Sequence, residues 1–314
     1  MLASGGVPEA VVDALRAALP TAEVRPAADP VPLADLAEAD AVVVWSLTPE
    51  QVAAAPRLRW VQARTAGVEH LPLAELAARG IRLTTFSGVS APNIAEHVLA
   101  MMLAFARRIP TLVRAQERHE WRDTATHREV FELGGQRLLL VGTGAIGREV
   151  ARRATAFGMD VAGVRRLAGP PPDWLEAVWP VERIDEALAT ADHVVNSLPN
   201  TSATRGLFDA GRFAAMKPGA HFHNVGRGTT VDTAALVEAL ASGRLAGAGL
   251  DVVEPEPLPA DSPLWRMGNV LITSHTSGAT PRSWERGGPI VLRNARAFDR
   301  GEALVNEVEL GAGY

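Results

Sequence analysis

Three polar residues stand in comparable places late in the chain: Arg227 in "HNVGRGTTVDTAALVEAL", Glu256 in "GAGLDVVEPEPLP" and His275 in "LITSHTSGAT". Each follows an apolar run that reads as a buried strand, so each can reach the carboxyl edge of a parallel sheet, where α/β proteins bind ligands. Taken singly they have ordinary readings: a surface arginine, a solvated acidic loop, a hydrogen-bonded histidine. Together they supply a cation for a carboxylate, a proton donor, and an anion that keeps the donor charged. That set suits the reduction of a 2-keto acid.

A reduction needs a hydride source, and "GTGAIGREVARRATAFGMDVAGVRR" (142–166) offers a place for one. Gly142, Gly144 and Gly147 satisfy G-x-G-x-x-G between an apolar strand, "QRLLLV", and an uninterrupted helix. The first glycine permits the tight turn, the second admits a pyrophosphate to the backbone, and the third lets the helix pack on the strand. The amides of Ala145 and Ile146 then open the helix toward a phosphate. Residues 163–168 contain no acid where an NAD site usually has one for the ribose; Arg165 and Arg166 stand there instead. Guanidinium forks suit a 2′-phosphate, so NADP is favoured over NAD. Against this, Lys217 is the only lysine among 31 basic residues, so any single arginine is weak evidence.

Alternating strand and helix patterns surround these motifs, as expected of parallel sheets with crossover helices. Strands are expected at 41–45, 58–63, 160–164, 192–198, 220–225, 246–253 and 269–274, with a further one at "IRLTTF" after a helix closed by Gly80. A long helix is expected at 93–108, capped by Asn93 with Glu96 answering, and others near 183–190, 209–215, 232–242 and 283–300. "ALVNEVEL" reads as a last strand, and the N-terminus shows no opening strand.

With 314 residues, 47% hydrophobic, the chain is long enough for about two domains. Its net charge of −5, without blocks of like charge, gives no footprint for nucleic acid or anionic lipid. Cysteine is absent, which excludes disulfides, thiolate metal sites and a cysteine nucleophile. The start lacks a signal-peptide pattern and "HVLAMMLAF" is too short to span a bilayer, so a soluble cytoplasmic protein without a membrane partner is expected.

The segments "LRWVQARTAGVEHL", "SGVSAPNIAEHVLAMML", "VGTGAIGREVA", "NSLPNTSATRGLF", "MKPGAHFHNVGRG", "LDVVEPEPLPADSPLW" and "NVLITSHTSG" resemble, in order, the D-isomer-specific 2-hydroxyacid dehydrogenase family. The likeness covers roughly residues 58 to 281. It implies two doubly wound α/β domains. A Rossmann dinucleotide-binding domain (89–280) would be inserted into a flavodoxin-like substrate domain made of 1–88 and 281–314. It implies Arg227 on the substrate carboxylate and carbonyl, His275 as acid/base, Glu256 as its partner, and the amides of Ala66 and Gly67 on the carboxylate. Leu198, Pro199 and Thr204 would lie near adenosine and Asp251 would face the nicotinamide carboxamide; Val225, Gly226 and Ser277 complete the cofactor set. The family also implies a homodimer, for which the apolar face of 97–105 and the arm to Trp121 offer a patch. It contains formate dehydrogenases, disfavoured because they carry glutamine where Glu256 stands. Phosphite dehydrogenases and NAD(H)-sensing corepressors remain as alternatives. His221 and His223 replace apolar residues of the pattern and read as packing or surface residues. Trp45, Arg64, Trp121 and Trp284 are candidates to line the pocket, or else core or interface residues.

Overall fold

The computed structural model describes residues 1–121, 129–166 and 169–310; part of the polar stretch at 114–130 and the last four residues of the expected substrate domain lie outside it. The chain divides into two units, Ala91–Ala279 and, around it in sequence, Met1–Ser90 with the segment that begins at Thr280. Each is built on one parallel sheet.

The first unit holds β1 (Leu2–Ala3), β2 (Arg25–Pro26), β3 (Ala41–Val44), β4 (Trp60–Ala63) and β5 (Arg82–Thr84) in the order β2-β1-β3-β4-β5. This is the flavodoxin-like order, with its switch between β1 and β3. Strands β3 and β4 are buried along their whole length, because a parallel sheet is covered on both faces. An opening strand therefore exists where none was expected: Leu2 and Ala3 pair with both β2 and β3. Two residues carry no periodicity, so only their tertiary pairing reveals them.

At the other end, "ALVNEVEL" forms no strand. Asn306 has a φ of 56°, the left-handed region, which interrupts an extended run. What remains is one antiparallel bridge, Thr84 to Glu307, and a bidentate Arg82–Glu307 pair in which Nε and Nη2 donate to the two carboxylate oxygens at 2.6 and 2.7 Å. The helix Ser283–Asp299 is fixed by fully buried Asn294. Its Nδ2 donates to Gln62 Oε1 (3.1 Å) and to the Val305 carbonyl (3.0 Å), and its Oδ1 accepts from the Val305 amide (2.8 Å).

The second unit holds β6 (Arg137–Val141), β7 (Asp160–Arg165), β8 (Ala177–Pro180), β9 (His193–Asn196), β10 (Ala220–Asn224), β11 (Leu245–Leu250) and β12 (Val270–Ile272). Their order, β12-β11-β10-β9-β6-β7-β8, is the Rossmann order with one strand added, and the switch point lies between β6 and β9. Strand β8 was not anticipated; "AVWP" sits at the sheet edge with every residue only half-buried and ends in proline.

The long helix runs Ala91–Ala106, which places Asn93 inside it and not before it. Asn93 Nδ2 donates to the carbonyls of Ser277 (2.7 Å) and Ala279 (3.3 Å), and Glu96 pairs with Arg153 at 3.4 Å, so the expected capping box does not form. Val98, Leu99, Met101, Met102 and Phe105 are buried within this unit, so the face of 97–105 is core and cannot be the exposed patch. Among the described residues, no helix is long and apolar enough to cross a membrane.

Candidate active site

The glycine turn follows β6, and each glycine is required for a different reason. Gly142 has a φ of 105°, disfavoured for any side chain. A Cβ on Gly147 would lie 2.4 Å from the Gly142 carbonyl oxygen, so helix and strand meet closely only with glycine there. A Cβ on Gly144 would meet nothing within 4 Å; it would project into open space in front of the turn. That open cradle, at the start of the helix Ala145–Ala156 where the exposed amide of Ala145 and the half-buried Ile146 begin the first turn, fits a pyrophosphate.

Arg165 ends β7 and Arg166 follows it. Arg165 is folded back: its Nη2 donates to the Pro170 carbonyl at 3.0 Å, and its Nε is buried without a partner. Arg166 is exposed. Asp160 begins β7, at the end of the strand remote from the turn.

Beyond β9, the Ser197 hydroxyl donates to the Gly142 carbonyl at 3.2 Å, joining this segment to the glycine turn. Leu198 and Pro199 are half-buried beside it. The Thr204 hydroxyl donates to the Pro199 carbonyl (2.6 Å) and accepts from the Thr201 amide (2.9 Å), so it closes its own loop.

Beyond β10, Val225 is buried and its amide donates to the Asn196 carbonyl at 3.0 Å. Gly226 and Gly228 flank half-buried Arg227, whose Nη1 donates to the Gly226 carbonyl at 2.9 Å. Beyond β11, Glu256 accepts from the Val253 amide through Oε1 (3.1 Å) and meets His275 Nδ1 through Oε2 (2.9 Å). A carboxylate accepts only, so Nδ1 carries its proton toward Glu256 and Nε2 is the nitrogen left for proton exchange. His275 is half exposed at its side chain (51%) and adopts a φ of 53°. Its amide donates to the Asp251 carbonyl at 2.8 Å, which fixes the backbone of the loop after β12.

Asp251 organises that loop. Burial acts against its charged form. It is outweighed by hydrogen bonds from Ser277 Oγ (2.5 Å), Thr273 Oγ1 (2.6 Å) and the amides of Thr276 and Ser277, which hold the carboxyl below its usual range. Ser277 is itself buried and spent on this carboxylate. His97, from the long helix, reaches Thr273 Oγ1 at 3.0 Å.

Ala66 and Gly67 follow β4 in the first unit, in a loop held by the Thr65 hydroxyl donating to the Gly67 carbonyl at 2.7 Å. Within that unit Arg64 pairs with Asp29 at 2.9 Å, Trp45 is exposed and accepts from His70 through its carbonyl, and Trp284 packs edge-on against Phe86 in the core. Trp121 is 94% exposed in the second unit. His221 and His223 are buried packing residues, stacked with His193 under Phe105 and Phe131. Sequence reasoning passed over Asn196, Asn224, Thr230, Thr273 and His97: no motif spacing marks them, and only the sheet register of Asn196 with Asn224 and the hydrogen bonds of Thr230, Thr273 and His97 bring them to the site.

Comparison with known proteins shows the family and the fold. Residues 99–277 match the family model for the D-isomer specific 2-hydroxyacid dehydrogenase NAD binding domain. The chain is 35% identical over 287 residues to D-3-phosphoglycerate dehydrogenase of Mycobacterium bovis, covering 90% of this chain and 53% of that protein, so it spans about half the length of that relative. It is 36% identical over 261 residues to a glyoxylate reductase of Pyrococcus furiosus, covering 81% of this chain and 77% of that one. A solved D-isomer specific 2-hydroxyacid dehydrogenase from Xanthobacter autotrophicus Py2, in complex with NADPH and MES, superposes with a TM-score of 0.83 at 34% identity, covering 100% of this chain and 99% of the other.

Proposed function

The chain belongs to the D-isomer specific 2-hydroxyacid dehydrogenase family, and we propose that it reduces a small 2-keto acid to the D-2-hydroxy acid with a nicotinamide cofactor, NADPH preferred. The observation that carries the reading is the 2.9 Å contact of Glu256 with His275 Nδ1, in the unit that also holds the glycine turn.

Gly142, Gly144 and Gly147 with the amides of Ala145 and Ile146 would hold the pyrophosphate, and Leu198 and Pro199 the adenosine. A bound nicotinamide cofactor supplies the hydride. Arg227 binds the substrate carboxylate and carbonyl, and this fixes which face of the carbonyl is presented. As negative charge grows on the carbonyl oxygen, Arg227 stabilises it and His275 Nε2 delivers a proton. Glu256 keeps the histidine oriented through its contact with Nδ1.

The preference for NADPH rests on the lack of an acid at the end of β7 and on exposed Arg166, with Arg165 bracing the 169–170 loop. The related structure that holds NADPH supports it. A panel of 2-keto acids, glyoxylate first, assayed with both cofactors, tests substrate and cofactor together, with D-3-phosphoglycerate offered in the oxidative direction. Oxidation of NADPH by at least one 2-keto acid is expected. Silence across the panel with cofactor binding intact would point to a cofactor-sensing protein, and a tenfold advantage for NADH would overturn the cofactor assignment.

A homodimer belongs to the same proposal. The helix Ile109–Glu117 shows Ile109 and Val113 to solvent, and Trp121 follows. Light scattering is expected to give twice the chain mass of 33.3 kDa at micromolar concentration; a monomer there would end the idea.

A further inference from the structure

We propose that Asn196, Asn224 and Thr230 are positioning residues that clamp the backbone of Arg227. The proposal rests on the reading of Arg227 as the ligand of the substrate carboxylate. Asn196 and Asn224 are register partners at the carboxyl ends of β9 and β10, and all three side chains are buried to within 1% of complete exclusion from solvent. Asn196 Nδ2 donates to Asn224 Oδ1 (3.0 Å) and to Thr230 Oγ1 (2.6 Å). Thr230 Oγ1 then donates to the Arg227 carbonyl at 2.6 Å, and Asn224 Nδ2 donates to the same oxygen at 3.2 Å. The Thr230 amide reaches it as well, at 3.2 Å. Three donors thus converge on one carbonyl.

The same side chains hold the neighbouring segments. Asn196 Oδ1 accepts from the Leu198 amide (3.2 Å), and Asn224 Oδ1 accepts from the Gly226 amide (3.2 Å). The loop has no room to drift sideways. A Cβ on Gly226 would lie 2.6 Å from the Leu198 carbonyl oxygen, and one on Gly228 would lie 1.8 Å from that of Val253, on the segment leading to Glu256. Arg227 is therefore set between the cofactor segment and the glutamate segment, at a position dictated by hydrogen bonds.

Stability alone does not account for this arrangement. Two apolar β-branched residues would fill the same paired positions without desolvating any polar group, whereas a buried polar network is tolerable only when its members are satisfied. This network is satisfied by aiming at Arg227.

The test compares Thr230→Val with Thr230→Ser in protein saturated with NADPH. Valine keeps the volume and removes the hydroxyl; serine keeps the hydroxyl. In Thr230→Val, KM for glyoxylate, or for whichever 2-keto acid the wild type reduces, should rise about 10-fold with kcat changed less, and Thr230→Ser should restore it. NADPH affinity should stay within about 2-fold in both. Independently of turnover, deuterium exchange at the amides of 226–230 should quicken about 10-fold in the valine variant only, with β9 and β10 unaltered. Unchanged exchange at 226–230 in Thr230→Val, or equal losses in the valine and serine variants, would overturn the clamp. If the wild type reduces no 2-keto acid, the reading of Arg227 fails separately, and the exchange measurement alone decides whether the three residues fix its backbone.

Discussion

Two kinds of histidine occupy the nucleotide-binding unit, and their surroundings are opposite. His275 is half exposed, stands on a loop with a positive φ, and has a carboxylate 2.9 Å away. His193, His221 and His223 lie on β9 and β10, stacked at 5.1 and 5.6 Å between ring centres and capped by Phe105 and Phe131. Among the described residues, no acid is hydrogen-bonded to these rings. Asp192 lies next to His193 but is taken up by Lys217 and the Arg137 amide, and Arg108 faces the cluster with a further positive charge. Burial lowers His193 to about 3 and His221 to about 4, and drives His223 well below its usual value; the neighbouring rings and Arg108 add to this, and Asp192 opposes it only weakly. Among the described residues, no group of three or more histidine or acidic side chains is arranged to hold a metal ion. The same side chain is thus the proposed proton carrier in one place and a neutral packing ring in another. The partner and the solvent decide which.

The largest effect expected from this contrast is on turnover. Replacing His275 with alanine should lower keto-acid kcat/KM by about 10²–10⁴, with NADPH affinity and the acid midpoint of unfolding unchanged. Retention of most activity would reduce His275 to a polar loop residue.

The cluster predicts a stability effect with the opposite dependence. Its histidines are neutral when folded and titrate near ~6.5 when unfolded, so their contribution is complete above that pH and is lost as pH falls toward 4 and 3. Unfolding free energy should fall by about 1.4 kcal/mol per pH unit for each histidine once the unfolded chain is protonated. Denaturant titrations from pH 7 to 5 would show the slope, and His221→Phe, which keeps an aromatic ring between Phe105 and Phe131, should remove about one histidine's share while leaving neutral-pH activity intact. An unaltered slope would mean that these rings are accessible to protons in the folded protein.

A smaller effect sharpens the comparison from the other side. Glu256→Gln keeps the shape beside His275 and removes the carboxylate that meets its Nδ1, so keto-acid kcat/KM should fall on the order of 10- to 100-fold with NADPH affinity unchanged. Unchanged turnover would show that this carboxylate is not needed to hold the ring. Smaller again is the expected change in cofactor choice: Arg166→Asp should cut the NADPH-over-NADH ratio of kcat/KM by about 10-fold, chiefly through KM, and no change would remove Arg166 from the ribose site.

Much of this arrangement was legible from residue order. Arg227, Glu256 and His275 could be picked out because each follows a buried strand of the sheet, and strand ends in parallel sheets face ligands. The glycine turn was legible because a positive φ at Gly142, open space at Gly144 and a close helix–strand approach at Gly147 fall at fixed spacing. The clamp was not, since Asn196 and Thr230 are unremarkable polar residues until β9 and β10 come into register. Strands β1 and β8 escaped because a two-residue strand and a half-buried edge strand leave no pattern. The final run "ALVNEVEL" misled in the other direction, as its alternation is broken by a single left-handed residue, Asn306.

Asn294 has a consequence for how the chain is made. Residues 91–279 are contiguous, so that unit can be completed as soon as its own sequence has left the ribosome. The unit holding β1 to β5 cannot. Trp60, Phe86 and Val43 share a buried cluster with Val291, Ala295 and Ala297 of the last helix, and Gln62 waits for Asn294. The helix Glu9–Ala18 brings Val12 and Leu15 to that face, but until roughly the last thirty residues emerge the part that the last helix covers stays open. A nascent chain therefore carries an apolar surface through most of its own synthesis, and the last helix is the piece that closes it.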